Sequence, residues 1–141
     1  MRVLVDTLVW SAALRRSRPA TGAIVEELAQ LVREGRVVMI GPIRQEVLSG
    51  IKDAVQFETL RSHLQAFPDS ELEGADFEAA ATCFNRCRAK GIQGSNTDFL
   101  LCAVAERRDL SIFTTDGDFR EYARVLPLKL HGVAGAKGVP R

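Results

Sequence analysis

The chain has 141 residues, which is enough for one domain with a substantial core. A chain of this length does not need disulfide bonds to compensate for a small core. Hydrophobic residues make up 46% of the sequence and charged residues 26%, proportions that are typical of a globular protein and exclude general disorder. The formal net charge of +1 neither requires nor excludes nucleic acid as a partner, and no apolar run approaches the roughly 20 residues that span a bilayer.

Two kinds of pattern alternate along the chain. Short apolar runs predict buried strands, and apolar residues spaced three or four apart predict amphipathic helices. Gly35 ends one such helix, and Pro42 suits the first turn of another. In chain order, the predicted elements are a strand at 3–5, helices at 7–14 and 21–34, a strand at 37–40, a helix that opens at 41–42, amphipathic helices around 57–67 and 77–87, an apolar helix at 99–105, and strands at 111–114 and 128–130.

This alternation predicts the fold class. Strands separated by helices pair in parallel through right-handed crossovers, with helices on both faces of the sheet. Residues 99–105 (FLLCAVA) are apolar on all sides, which indicates a helix buried between layers. We therefore expect one three-layer α/β/α domain with a central parallel sheet, spanning residues 1–141 and having a loose tail from about residue 132.

The cysteines and the first apolar run bear on the cellular compartment. Cys83, Cys87 and Cys102 cannot all pair with one another and lie in predicted helices, so packed, reduced thiols fit best. Asp6 interrupts the first apolar run where a signal peptide would continue. Both features favour a cytoplasmic protein without a membrane segment.

Four acidic residues stand where chemistry is expected. In an open parallel sheet, ligands bind beyond the carboxyl ends of the strands, and Asp6 and Asp116 both follow predicted strands. Asp98 begins the apolar helix, which is a costly place for a lone charge. Glu46 lies beside the inward stripe of its helix, next to Val47. We predict that these four acids form one site.

Each acid alone also has a structural interpretation. Asp6 and Asp116 fit as N-caps, Asp98 fits as a first-turn acid, and Glu46 fits as a partly exposed helix residue paired with Arg44 or Lys52. Together these alternatives are weaker, because like charges gathered at one edge of a sheet repel unless a cation or protons neutralise them. Oxygen ligands without His or Cys point to Mg²⁺ or Mn²⁺, and such an ion supports phosphodiester hydrolysis.

Four short segments carry a resemblance to a known family. They are residues 3–7 (VLVDT), followed by Val9 and Trp10, and residues 44–48 (RQEVL), 96–100 (NTDFL) and 113–119 (FTTDGDF). In this order they resemble the successive motifs of PIN domains, and most closely those of the VapC toxins of bacterial toxin–antitoxin pairs. The resemblance runs from Met1 to about Lys129, and the ordered set is far more specific than any one segment.

The resemblance implies a function and a set of metal ligands. The implied protein is an endoribonuclease that depends on Mg²⁺ or Mn²⁺, acts on single-stranded or looped RNA, forms a homodimer and is silenced by a VapB-like antitoxin. Asp6 and Asp98 would be the principal metal ligands. Glu46 and Asp116 would complete the acidic cluster, directly or through water.

The same resemblance assigns supporting roles and leaves two points open. Thr7 and Thr115 would orient carboxylates through their hydroxyl groups. Leu8 departs from the family, which often has a small polar residue at that position, so hydroxyl help from there is absent. Asp118, two residues beyond Asp116, is an alternative to it as the fourth acid.

Two other functions fit parts of the sequence. Asp116 and Asp118 match the Asp-x-Asp strand end of a haloacid-dehalogenase-like phosphatase, but no Asp or Glu follows Glu121 to complete the metal site of such an enzyme. An inactive PIN-like module that binds RNA or protein is the other alternative. Two basic groups are candidates for holding RNA phosphates: Arg15, Arg16 and Arg18, and then Arg86, Arg88 and Lys90.

Overall fold

The computed structural model describes residues 1–14 and 22–133. The basic group at 15–18 and the part of the predicted tail beyond residue 133 lie outside these ranges. The elements, in chain order, are β1 (Val3–Val5), α1 (Thr7–Leu14), α2 (Ala23–Arg33), β2 (Val37–Val38), α3 (Gly41–Leu48), α4 (Ala54–Leu64), α5 (Gly74–Ala89), α6 (Asn96–Arg108), β3 (Ser111–Phe113) and α7 (Asp118–Tyr122).

The sheet is short, parallel and centred on β1. Its strand order is β2-β1-β3, with Val3 opposite both Val37 and Ser111, and Val5 opposite Phe113. All three residues of β1 are fully buried, so both faces of the central strand are covered. This arrangement confirms the predicted three-layer α/β/α class with a central parallel sheet.

The outer strands are shorter than predicted. β2 is limited to the first half of its predicted segment. The prediction of a strand at 128–130 was wrong, because this segment contributes a single bridge between Leu130 and Ile112. The amide of Leu128 instead donates its hydrogen bond within a tight turn around Pro127, which removes that amide from any ladder.

Helix α6 lies at the centre of the core and packs along α5. Residues 99–105 are all buried, as their apolar sequence predicts. On α5 the inward position is taken by Asp76, whereas Phe77, which the periodicity places inside, is 53% exposed. The helix is turned this way because Asp76 binds two cations of α6, Arg107 and Arg108.

Two further observations concern the thiols and the tryptophan. The three cysteines are free and buried in α5 and α6, which confirms their prediction as packed thiols. Trp10 is buried as well, with its ring packed edge-on against Phe67. Over the described ranges, every helix is too short or too polar to span a bilayer.

The carboxyl edge of the sheet brings two chain segments together. Asp6 follows directly after β1, and Thr114 follows directly after β3. The Asp6 amide donates a hydrogen bond to the Phe113 carbonyl at 2.9 Å, which holds the two strand ends side by side. Side chains that leave these strands therefore start from the same edge, where open parallel sheets bind ligands.

Candidate active site

Asp6 is the most buried acid at this edge, with 6% of its surface exposed. Its Oδ1 accepts a hydrogen bond from the Thr7 amide at 2.8 Å, and its Oδ2 accepts one from the Thr114 hydroxyl at 2.8 Å. An N-cap side chain bonds to the second or third amide of its helix, whereas this carboxylate bonds to the next residue. The capping interpretation therefore does not explain the position of the Asp6 carboxylate.

Asp116 is held close to Asp6 because one threonine touches both residues. The Thr114 hydroxyl donates to Asp6 and accepts a hydrogen bond from the Asp116 amide at 3.0 Å. Asp116 Oδ1 accepts a hydrogen bond from the Asp118 amide at 2.9 Å. Asp116 therefore also has part of the structural role expected of an N-cap, in the turn before α7. Asp118 is exposed and does not line the cleft that contains Asp116, which supports Asp116 as the fourth acid.

Thr115, to which the resemblance assigns an orienting hydroxyl, is exposed. No described residue accepts a hydrogen bond from it, and the hydroxyl that orients a carboxylate is that of Thr114, one residue earlier. The spacing of Thr114 and Asp116 is the signal that identifies this residue, because alternate residues of an extended chain point to the same side.

Glu46 reaches the site from α3. Its Oε1 accepts a hydrogen bond from the Thr7 hydroxyl at 2.7 Å, which is the kind of contact implied for Thr7. Arg44, one of its two candidate partners, instead binds the Asp69 carboxylate at 3.0 Å and two backbone carbonyls at and just after the end of α4. Arg44 thereby anchors α3, and Glu46 is left to face the cleft.

Asp98 is the third residue of α6. Its amide donates to the hydroxyl of the N-cap residue Ser95 at 3.1 Å, and its Oδ2 accepts a hydrogen bond from the Tyr122 hydroxyl at 2.7 Å. Tyr122 is fully buried and packs against Phe99 and Phe119, with ring centroids 4.8 and 5.1 Å away. The first-turn position agrees with the helix-dipole interpretation, but the tyrosine is what fixes the carboxylate.

Tyr122 is a site residue that the sequence did not reveal, since nothing in its spacing separates it from an ordinary core aromatic. Gly94 makes room for it, because a Cβ at that position would overlap the hydroxyl oxygen and crowd the ring of Phe99. Burial, followed by the hydrogen bond to Asp98, raises the pKa of Tyr122, so its hydroxyl stays a neutral donor.

The four predicted acids line one cleft of about 570 Å³. They come from the turn after β1, from α3, from the first turn of α6 and from the segment after β3. Leu8 also faces this cleft, so the departure noted in the sequence lies within the site. The remaining lining residues are Thr7, Pro42, Gln45, Ser49 and Thr97.

The carboxylates of the cleft repel one another. Burial raises the pKa of Asp6 to about 6, the hydrogen bonds from two threonines oppose this rise, and the charges of Asp98 and Asp116 add to it. Burial likewise raises the pKa of Asp98, against the hydrogen bond from the tyrosine, with further contributions from Asp116 and Glu46. At neutral pH the cleft therefore holds negative charge that its hydrogen bonds do not fully compensate.

The donor groups of the cleft are carboxylate, hydroxyl and amide oxygens, with no His or Cys among the lining residues. Such donors fit a hard divalent cation of the Mg²⁺ or Mn²⁺ class. In residues 1–14 and 22–133, no three His, Cys, Asp or Glu side chains are already placed to share one ion. The acids are thus gathered in one cleft, while oxygens of Glu46 and Asp98 are engaged by hydroxyl groups.

Comparison with known proteins gives similar sequences and similar folds. Two relatives, a VapC ribonuclease of Mycobacterium bovis and ribonuclease VapC11 of Mycobacterium tuberculosis, are each 34% identical to this chain over 132 residues, which cover 90% of this chain and 96% of the relative. The crystal structure of FitAcB from Neisseria gonorrhoeae has a TM-score of 0.74 at 19% identity, covering 92% of this chain and 96% of that one.

A second similar structure is that of VapBC2 from Rickettsia felis bound to a DNA fragment from their promoter. Its TM-score is 0.75 at 16% identity, with 93% of this chain and 98% of that chain covered. At such identities the structural likeness shows the fold alone. The profile of the PIN domain matches residues 3–125, which is most of the sequence. Together with the relatives at 34% identity, this match shows that the chain belongs to the PIN-domain family.

Proposed function

We propose that this chain is the toxin of a toxin–antitoxin pair and acts as an endoribonuclease that depends on Mg²⁺ or Mn²⁺. The observation that carries the proposal is the cleft at the carboxyl edge of the sheet, where Asp6, Glu46, Asp98 and Asp116 come together from four parts of the chain. Relatives that are named as VapC ribonucleases support RNA as the substrate.

In this proposal Asp6 and Asp98 are the principal cation ligands. They are the two acids whose pKa is raised by burial with added repulsion from neighbouring carboxylates, so a cation relieves them most. Glu46 and Asp116 complete the set, directly or through water. Hydroxyl groups of two threonines and one tyrosine already orient the carboxylates of Asp6, Glu46 and Asp98.

The chemistry divides between the cation and the chain. When bound, Mg²⁺ or Mn²⁺ lowers the pKa of water and stabilises the charge that develops on the leaving oxygen of a phosphodiester. Gln45, Ser49 and Thr97 line the same cleft and offer hydrogen bonds to phosphate and ribose oxygens. Asp6 must lose its proton to act as a ligand, so cation binding is expected to release protons near pH 6.

The proposed partners follow from the relatives. The curated relatives are VapC proteins, and one similar structure holds VapBC2 on promoter DNA. We therefore propose a VapB-like antitoxin as the regulatory partner and a homodimeric toxin. We propose that residues 1–141 form one PIN domain that cleaves single-stranded or looped RNA in the cytoplasm.

Neither alternative function gains support from the described contacts. A haloacid-dehalogenase-like phosphatase requires Asp116 and Asp118 in one site, whereas Asp118 is exposed and outside the residues that line the cleft. An inactive PIN-like binding module has no need for hydroxyl groups that orient the carboxylates of Glu46 and Asp98, and both are oriented here.

Cleavage of RNA with and without EDTA tests the proposal. We expect cleavage in Mg²⁺ or Mn²⁺, none in EDTA, and loss of activity in Asp6→Asn and in Asp116→Asn. Asp118→Asn is the matched control, because it changes the same residue type two positions away and outside the cleft. Cation-dependent cleavage that survives Asp6→Asn would overturn the assignment of Asp6 as a cation ligand. If Asp118→Asn abolished cleavage and Asp116→Asn did not, Asp118 would replace Asp116 as the fourth acid.

A further inference from the structure

A second groove, on the surface near α7, is lined by cations. Its volume is about 540 Å³, and the charged residues that line it are Arg86, Lys90 and Arg124. No Asp or Glu of the described residues lines it. The dipole of α5 favours cations at the end of that helix, but Arg124 comes from a separate segment, the turn after α7. The charges therefore converge on the groove from two parts of the chain.

These charges are only partly neutralised. The Arg86 Nη2 donates to the Val125 carbonyl at 3.1 Å, which holds the guanidinium at the groove and leaves its remaining N–H groups without an acceptor among the described residues. Lys90 has no carboxylate partner within residues 1–14 and 22–133. Arg124 pairs with Glu121 at 2.7 Å, but side-chain exposures of 71% and 54% make this a weak pair that a ligand can displace.

Six of the eleven other cations in the described ranges each contact a carboxylate: Arg36, Arg44, Arg61, Arg107, Arg108 and Lys129. Of those without an ion pair in these ranges, Arg88 belongs to α5 and Arg120 to α7, and both are exposed. They add to the unpaired positive charge of the two segments that form the groove.

The groove lies within reach of the acidic cleft. Asp116 lines the cleft and Arg124 lines the groove, and the chain between them is mostly helical. The Tyr122 hydroxyl of α7 donates to Asp98 in the cleft, and Val125, three residues further along the chain, lines the groove, so the end of α7 contacts both sites. An RNA strand that passes along the end of α7 can therefore contact both sites.

We propose that the groove of Arg86, Lys90 and Arg124 binds the phosphate backbone of the RNA strand whose scissile bond lies in the acidic cleft. This inference rests on the proposed function. The carboxylates of the cleft repel a polyanion wherever no cation neutralises them, so positive side chains beside the cleft add attraction for the strand. The apolar walls of the groove, which include Ile92 and Val125, offer packing surface to a sugar or base.

Equilibrium binding tests the groove without any need for catalysis. The full-length chain is titrated, in EDTA, against a fluorescently labelled single-stranded RNA of about 12 nucleotides, a length in the range that single-strand sites occupy. The groove variant is Arg86→Gln/Lys90→Gln, and Arg124→Gln is a second variant from the other wall. The control variant, Arg61→Gln/Lys129→Gln, removes two exposed cations that are paired elsewhere.

We expect the groove variant to bind roughly tenfold more weakly and to show a log–log salt slope shallower by about 1.4, since each contact to a single strand contributes ~0.7. Arg124→Gln should lose less in the same direction, and the control should stay close to the unaltered protein. Groove variants that bind RNA as the unaltered chain does, or that lose no more than the control, would overturn the proposal.

Because divalent cations are absent, this assay separates the groove from the proposed catalysis: RNA binding that depends on the groove survives even if no cleavage is found. Where cleavage is found, KM for the long RNA should rise in Arg86→Gln/Lys90→Gln with kcat unchanged, because the contact is remote from the scissile bond. A dinucleotide, whose single phosphodiester is the scissile one and leaves no further phosphate for the groove, should show no change. An equal rise in KM on both substrates would contradict binding of the RNA strand in the groove.

Discussion

Asp6 and Asp76 are both buried aspartates, but their surroundings are opposite. Asp76 is 0% exposed and contacts Arg107 and Arg108, and it accepts a hydrogen bond from the Glu73 amide at 2.8 Å. Burial alone would raise the pKa of Asp76, but these partners outweigh it and bring the pKa below its ordinary value. This acid is neutralised within the fold.

Asp6 has hydrogen bonds but no cation partner among the described residues, and the nearby charges of Asp98 and Asp116 have the same sign as its own. Burial, with the repulsion from these charges added to it, therefore raises its pKa to about 6. This contrast shows that burial alone does not decide whether an acidic residue has a structural or a functional role. Asp76 stabilises the packing of α5 on α6, whereas Asp6 requires a proton or a cation from outside the chain.

The largest effect is expected from Asp76→Asn. It leaves Arg107 and Arg108 without their shared carboxylate at the α5–α6 contact, which should lower the free energy of unfolding by about 3 kcal/mol. Urea denaturation measures this loss. Asp109→Asn is the matched control: it breaks an exposed pair with Lys129, at less than about 1 kcal/mol, at a left-handed position that asparagine tolerates. RNA cleavage per folded molecule should be unchanged in both variants. If Asp76→Asn lost activity at unchanged stability, Asp76 would belong to the active site and not to the core.

Asp6→Asn should act in the opposite direction on stability. A pKa raised by about two units corresponds to roughly 3 kcal/mol of unfavourable ionisation at neutral pH, and an amide that remains buried should recover about 1–2 kcal/mol of it. We therefore expect the metal-free variant to be more stable than the unaltered chain in urea at pH 7.5. A clear loss of stability would mean that the charge of Asp6 is compensated within the fold.

The pH dependence of stability should differ between the two acids. Asp6 has a pKa of about 6 when folded and roughly 3.9 when unfolded, so the folded state binds more protons in between. Lowering the pH from 7.5 to 5 should stabilise the metal-free chain by about 1 kcal/mol relative to Asp6→Asn. The lowered pKa of Asp76 has the opposite sign, and its stabilisation is lost as the pH falls through the folded-state value. Identical profiles for the chain and Asp6→Asn would contradict the raised pKa.

Tyr122→Phe should have the smallest effect on stability. It removes the hydroxyl that donates to Asp98 and keeps the ring between Phe99 and Phe119, so the expected loss is no more than about 1 kcal/mol. Because the carboxylate is then less firmly oriented, cation affinity should fall severalfold, as measured by calorimetric titration with Mn²⁺. An unchanged affinity would show that the tyrosine only fills the core.

Several parts of the site could be predicted because they depend on local pattern. Asp6 directly follows a short apolar run of the kind that predicts a buried strand, and Asp98 opens a helix that is apolar on all sides. Both observations place an acid at the edge of the core. The order of the motifs then connects these acids with Glu46 and Asp116, and all four line one cleft.

Other features depend on contacts between residues far apart in sequence. Asp76 is buried because cations more than 30 positions away meet it, so helical periodicity alone placed Phe77 inside. The hydrogen bond from Tyr122 to Asp98 depends on the path of α7 and on the space left by Gly94. No local pattern encodes either contact.

Thermal unfolding with increasing MnCl₂ tests the central claim most directly, namely that the uncompensated charge around Asp6 is a cation site. A ligand that binds only the folded state at 100 times its dissociation constant stabilises that state by about 2.7 kcal/mol. We predict a saturable rise in Tm for the unaltered chain and for Asp118→Asn, and little or none for Asp6→Asn and Asp98→Asn. An equal rise in Asp6→Asn, or no rise in the unaltered chain, would contradict the account.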